Sequence, residues 1–192
     1  MKLTCCLFVF LLGAVGDVPR PPIVFIGDSI TQGWPLWFYE PGSINAGVGG
    51  QTSKAMLARF QTDVIDRGPR TVVILAGTND ILRAPAPCID CIESMSELAR
   101  RAGARVVIGL IPPNEDWSPP NVITHPVAGR SAINSFNTQL VHMAHAHGYA
   151  VVDYYRALTL RSGAQNTALF RDGTHPNQLG YIVMWLALHR VL

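Results

Sequence analysis

Ile23-Val24-Phe25-Ile26-Gly27-Asp28-Ser29-Ile30-Thr31 sets the reading of the whole chain. Four apolar residues, mostly β-branched, run without alternation into a glycine, a carboxylate and a hydroxyl. An unbroken apolar run of this length describes a strand covered on both faces, and so a parallel sheet flanked by helices. The pattern recurs at Thr71-Val72-Val73-Ile74-Leu75, Arg105-Val106-Val107-Ile108 and Ala150-Val151-Val152, with a weaker fifth candidate at Ser43-Ile44-Asn45. Helical windows lie between these runs. Met56, Leu57, Phe60, Val64 and Ile65 share one face before Gly68, and Ile92, Met95, Leu98, Ala99 and Ala102 share one before Gly103. Ile133, Phe136, Leu140, Val141 and Ala144 do the same before Gly148. A last helix is expected over Asn177 to Leu192, with Pro176 near its first turn, where a missing N–H costs nothing. The order β-(β)-α-β-α-β-α-β-α predicts a three-layer α/β/α sandwich around a parallel sheet of about five strands.

The rest of the chain is consistent with one such domain. Its 192 residues suit a single core, 48% hydrophobic and 15% charged residues argue against disorder, and the 17 Gly and 14 Pro fall between apolar runs. The net charge is +2 and the longest basic run is Arg100-Arg101, too short for a nucleic-acid footprint or a polybasic membrane patch. Four cysteines are too few for a disulfide scaffold. At the start, Lys2, the apolar stretch through Leu12 and the small residues Gly13-Ala14-Val15-Gly16 read as a signal peptide over residues 1–16. That stretch is shorter than a membrane span needs. It predicts a secreted or periplasmic domain over residues 17–192, without a stable membrane span, and a cytoplasmic one if residues 1–16 do not act as a signal peptide.

Chemistry concentrates at the carboxyl ends of the expected strands, where the loops of an open parallel sheet meet on one edge. Gly27-Asp28-Ser29-Ile30-Thr31, Asn45-Ala46-Gly47-Val48-Gly49-Gly50-Gln51-Thr52, Gly77-Thr78-Asn79-Asp80 and Asp172-Gly173-Thr174-His175-Pro176-Asn177 can therefore share a site. A serine hydroxyl needs a base, and His175 can take the Ser29 proton and later return it to a leaving group. Asp172, three residues earlier in a turn, can hold the far ring nitrogen and stabilise the imidazolium. The oxyanion formed on a carbonyl carbon needs fixed donors. The Ser29 backbone N–H, a glycine N–H from the Gly47–Gly50 loop and the Asn79 amide can supply them. The set suits acyl transfer and requires neither metal nor cofactor. Asp28 is expected to fix its turn through its own backbone bonds. Competing motifs fail. GDSIT has Thr where a nucleophile elbow needs its second Gly, the glycine loop lacks the third Gly of a dinucleotide fingerprint, and no Lys precedes Ser or Thr as in a P-loop.

At these residues the chain resembles the SGNH/GDSL hydrolase family of serine esterases and lipases. The blocks stand as GDSIT around Ser29, NAGVGGQTS around Gly50, GTND around Asn79 and DGTHPN ending in the Asp172/His175 pair. The resemblance covers Ile23 to the end. It implies a flavodoxin-like sandwich, with Ser29, Gly50, Asn79 and His175 as the family's named residues and Gly47 as the other glycine to consider. It also implies a carboxylic ester or thioester of short or modest acyl chain, carried on a small molecule, a carbohydrate or a lipid. A lysophospholipase- or thioesterase-like lipid deacylase is the alternative to a carbohydrate O-acetylesterase. A non-catalytic binding module on the same scaffold would be expected to lack Ser29, Asn79 or His175, and all three are present.

Other residues admit structural readings. His142, His145 and His147 fall in the last turn of a helix, without sequence-neighbour carboxylates to complete a metal set. Cys88 and Cys91 are either a local disulfide or two thiols. Trp34, Trp37, Phe38 and Tyr39 either pack beneath the site or wall it for an acyl chain or a sugar ring. Asn114, Glu115, Asp116, Trp117 and His125 sit in a long Pro-rich loop on the same edge, where specificity commonly resides.

Overall fold

Every apolar run quoted above becomes a strand. The computed structural model describes residues 22–83, 88–114 and 130–192. The segment read as a signal peptide, and Glu115, Asp116, Trp117 and His125, lie outside the described residues. Strands β1 (Ile23–Gly27), β2 (Ile44–Gly47), β3 (Thr71–Leu75), β4 (Arg105–Gly109) and β5 (Ala150–Val152) form one sheet in the order β2-β1-β3-β4-β5. All four pairings are parallel, with Val24 opposite both Ile44 and Val72. This is the flavodoxin-like order. The chain runs outward from β1 to β2 and then back across to β3, so a crevice opens between β1 and β3 at their carboxyl ends.

Helices cover both faces. In chain order they are α1 (Ser29–Gln32), α2 (Leu36–Tyr39), α3 (Ser53–Ala58), α4 (Phe60–Asp63), α5 (Thr78–Arg83), α6 (Ile89–Arg101), α7 (Arg130–His147), α8 (Tyr154–Ala157) and α9 (Gln178–Leu188). Alternate strand residues feed two separate cores. Val24, Ile26, Val72, Ile74, Val106 and Ile108 meet Met56, Phe60, Met95 and Phe136 on one face. Ile23, Phe25, Val73, Leu75 and Val107 meet Ile30, Trp34, Tyr154, Tyr181 and Met184 on the other. Burying each such side chain is worth about 1.5–3 kcal/mol, which is what holds the three layers together.

The helices depart from the sequence reading in three places. The helix expected over Met56–Ile65 is broken into α3, α4 and a 3₁₀ turn at Ile65–Arg67. The break falls at Arg59 (φ −109°, ψ 3°), whose guanidinium is drawn toward the sheet edge. In α6, Leu98 is 38% exposed rather than buried, because it lies on the flank of the stripe formed by Ile92, Met95 and Ala99. Ser96 is buried on the other flank, with its hydroxyl donating to the Ile92 carbonyl. The last helix is shorter than expected. Asn177 caps it by accepting from the Gly180 N–H at 3.1 Å, Pro176 stays outside in a bridge with Phe170, and helix ends at Leu188. Beyond it, the Arg105 guanidinium takes the Val191 and Leu192 carbonyls.

Candidate active site

Ser29 is the first residue of α1, directly above the carboxyl end of β1. Asp28 builds this position. Its Oδ1 accepts from the Ile30 N–H at 2.9 Å, the turn-fixing bond expected of it, and its side chain is fully buried. Burial pushes its carboxyl up to about 6, against the opposing pull of the Ile30 N–H. As the first helical residue, Ser29 carries a backbone N–H with no acceptor inside the helix.

The Ser29 hydroxyl lies 2.9 Å from Nε2 of His175, although 146 residues separate them. The Asp172 carboxylate lies 3.0 and 3.1 Å from Nδ1 of the same ring. Partial burial opposes Asp172 ionisation, but the backbone N–H groups of His175 and Thr174, followed by the His175 ring, outweigh it and hold the carboxyl below its usual range. An ionised carboxylate can only accept. Nδ1 therefore carries the ring proton, and Nε2 is left to accept from the serine hydroxyl. The turn is held from outside: Asn114 Nδ2 donates to Thr174 Oγ1 at 2.9 Å, and the buried Gln165 amide bridges the Pro113 and Gly173 carbonyls at 3.1 and 3.0 Å. Asn114 thus serves the histidine turn.

Asn79, in the first turn of α5, is brought to the same crevice and is almost fully buried. Its Nδ2 donates to Asp28 Oδ2 at 3.2 Å and to the Gln51 carbonyl at 3.1 Å, so the Asp28 carboxylate and the Gln51 carbonyl together fix the orientation of the amide. Its neighbour Asp80 is also buried and accepts from the Ser53 N–H at 2.8 Å and from the Ser53 hydroxyl, anchoring the start of α3.

Of the glycines, Gly47 packs so closely that a Cβ would come within 2.2 Å of the Gln32 backbone nitrogen. Its N–H is committed to Asn45 Oδ1 at 2.9 Å, and that of Gly49 to Gln32 Oε1 at 2.9 Å. Gly50 follows with φ +76°, a left-handed conformation that favours glycine. The loop borders Ser29: a methyl at Gly49 would lie 3.7 Å from Ser29 Cβ.

The aromatic cluster divides. Trp34 is buried between Phe25, Tyr154 and Tyr181, whereas Trp37 is 78% and Phe38 66% exposed. Cys88 and Cys91 are joined as a disulfide, and the Cys88 carbonyl lies 3.3 Å from the Ser53 hydroxyl. His147 does have carboxylate neighbours, contrary to the sequence reading. α6 brings Glu93 Oε1 to 2.6 Å from Nε2 and Glu97 Oε1 to 3.7 Å from Nδ1, while Tyr149 stacks on the ring. The two carboxylates take opposite ring nitrogens, an ion-pair arrangement rather than a chelating one. Among the described residues, no group of three or more His, Cys, Asp or Glu is placed to hold a metal ion, and no helix is long and apolar enough to cross a membrane.

Sequence reasoning missed Arg59, Gln51, Gln165 and the Ser53–Asp80 anchor. A lone arginine on the edge of an apolar helical stripe was the one available signal, since the acceptors of Arg59 and Gln165 are spread along the chain.

The profile of the GDSL-like lipase/acylhydrolase family matches residues 25–183. The chain belongs to that family. Its curated relatives include the esterase TesA of Pseudomonas aeruginosa, 33% identical over 134 residues that make up 59% of this chain and 66% of TesA. Another is the "uncharacterized lipoprotein YqeF" of Bacillus subtilis, 37% identical over 100 residues, 42% of this chain and 41% of that protein. The chain thus spans less than two thirds of the length of either relative. The crystal structure of a GDSL-like lipase from Bacteroides thetaiotaomicron superposes with a TM-score of 0.77 at 32% identity, covering 88% of this chain and 86% of that one. Ser29, Gly50, Asn79, Asp172 and His175 all fall within the residues that match this family.

Proposed function

We propose that the protein is a serine esterase that hydrolyses carboxylic esters of short or modest acyl chain through an acyl-enzyme at Ser29. The observation that carries this reading is the unbroken relay from Asp172 to His175 Nδ1 at 3.0 Å and from His175 Nε2 to the Ser29 hydroxyl at 2.9 Å. His175 takes the hydroxyl proton as Oγ bonds to the ester carbon, and Asp172 stabilises the imidazolium. The oxyanion is met by the N–H groups of Ser29 and Gly50 and by the Asn79 amide. Of the two acceptors Asn79 now serves, the neutral Gln51 carbonyl is the weaker, so the Nδ2–H donated to it is the one that turns to donate to the oxyanion. Collapse breaks the bond to the alcohol, which leaves with the His175 proton. Water then repeats the sequence, releasing the acid and free Ser29.

Carbohydrate O-acyl groups and lipid acyl groups both qualify as substrates. Residues 1–16 serve in this reading as an export signal for an esterase domain at 17–192, acting outside the cytoplasm on small-molecule, carbohydrate or lipid esters.

Two measurements test it. Ser29→Ala should abolish hydrolysis of p-nitrophenyl acetate; an undiminished rate would require a different nucleophile, and absence of hydrolysis by the wild type would leave a binding module. Across a p-nitrophenyl ester series, kcat/KM should peak at short chains. A maximum at long chains would favour the lipid deacylase.

A further inference from the structure

Arg59 is placed where the expected helix breaks, and it faces the loops that carry the site rather than solvent. Its side chain is 16% exposed. Nε donates to Gln51 Oε1 at 2.7 Å, one terminal nitrogen to Asp63 Oδ2 at 2.8 Å, and the other to the carbonyls of Ala46 at 2.7 Å and Gly27 at 3.4 Å. An arginine serving only its helix would need Asp63 alone, four residues on. Of the other three acceptors, two are carbonyls at the carboxyl ends of β1 and β2 and the third is the Gln51 side chain in the glycine loop. Gly27 lies two residues before the nucleophile, Ala46 directly precedes the glycine loop, and the Gln51 carbonyl receives the Asn79 amide.

We infer that Arg59 is a positioning residue: its planar guanidinium ties the carboxyl ends of β1 and β2 to the Gln51 side chain, and so sets the Gly50–Gln51 turn relative to Ser29 and Asn79. The geometry suits arginine in particular. Five N–H groups in one rigid plane can hold several acceptors at fixed separations, whereas a lysine ammonium is a single point on a flexible stem. The carbonyls of Gly27 and Ala46 both stand at the end of the β1–β2 pairing; that of Gly27 already accepts from the Val48 N–H at 3.0 Å and takes the arginine as a second donor, whereas the shorter arginine bond goes to Ala46. Gln51 is the relay. Its side chain is held by Arg59 while its main chain meets Asn79, so a shift of the arginine moves a donor of the oxyanion site without touching substrate.

The inference rests on the serine-esterase reading, and the experiment separates the two. Arg59→Lys and Gln51→Leu are compared with wild type and Ser29→Ala in full-length protein. Reactive serine is counted with a fluorophosphonate, kcat and KM are measured on p-nitrophenyl acetate, Ki with an alkyl boronic acid that mimics the tetrahedral adduct, and Tm by thermal unfolding. Both variants should lose about tenfold or more in kcat per reactive serine, with KM within about threefold of wild type and the boronic-acid Ki rising in step. Arg59→Ala is the harsher change; should it not fold, the two milder variants decide. Wild-type kcat per reactive serine in Arg59→Lys and Gln51→Leu, whatever happens to Tm, overturns the positioning role while leaving the esterase reading intact. Full hydrolysis by Ser29→Ala overturns both.

Discussion

Asp28 is sealed beneath the first turn of α1 with none of its surface exposed, whereas the Asp172 side chain, in the turn that carries His175, is 49% exposed. Burial dominates at Asp28 and raises its carboxyl from 3.8 to about 6. At Asp172 the two backbone N–H groups and the histidine ring win, and the carboxyl is lowered. Both residues accept a backbone N–H from their own turn, and each orients one amide or ring at the crevice: Asp28 the Asn79 amide, Asp172 the imidazole. Which effect dominates is set by whether water reaches the carboxylate. The exposed aspartate is suited to stabilising a positive charge that appears during reaction. The buried one is suited to holding a neutral donor still.

The largest test of this contrast is Asp172→Asn. The new amide would donate toward Nδ1, force the ring into the other tautomer and remove the acceptor at Nε2. kcat should fall by about 10³–10⁴-fold, while urea denaturation shows little change, because the side chain is half exposed. A loss of tenfold or less would mean that the imidazole is oriented by something else.

Asp28 should reveal itself in stability against pH. The folded state holds this proton more tightly than the unfolded state, so the group's contribution is complete below 3.8 and is lost as pH rises through about 6. Measured against Asp28→Asn, which does not titrate, wild type should lose about 3 kcal/mol of relative unfolding free energy between about pH 3 and about pH 7. A pH-independent difference would remove the buried charge from the account. For Asp172 the sign reverses, with stability present above 3.8 and lost as pH falls through its lowered value.

The smallest effect is expected at Thr174→Val, which deletes the hydroxyl that accepts from Asn114 Nδ2. The Asp172 turn keeps its internal bonds and the Gln165 bridge. kcat should fall by about two- to fivefold and stability by under about 1 kcal/mol. A drop comparable to that of Asp172→Asn would show the turn to be held mainly from outside.

How much of this was legible in the sequence depended on the range of the interaction. Thr71–Leu75 was readable to the residue because a doubly covered strand leaves an unbroken apolar run. Asp172 and His175 were readable because a three-residue spacing closes a turn on itself, and the clustering of Ser29, Asn79 and the glycine loop followed from the parallel sheet. Arg59 was not, since its role is defined by carbonyls 13 and 32 residues away. Periodicity sees an amphipathic stripe there and runs the helix straight through. His147 misled for the same reason: Glu93 lies 54 residues earlier and meets it only once α6 and α7 pack side by side.

Tyr181, in the second turn of α9, donates its hydroxyl to the Ile30 carbonyl at 2.9 Å and lies stacked on Trp34, six and one residues beyond the histidine and the serine respectively in the case of the bonded pair. Among the described residues, the first and last helices are therefore clasped together across 151 residues of chain. Detaching α9 would take that hydroxyl from the Ser29 turn and leave Trp34 without the ring stacked on it. Because α9 begins three residues after His175, loosening this clasp would loosen both sides of the Ser29–His175 pair at once.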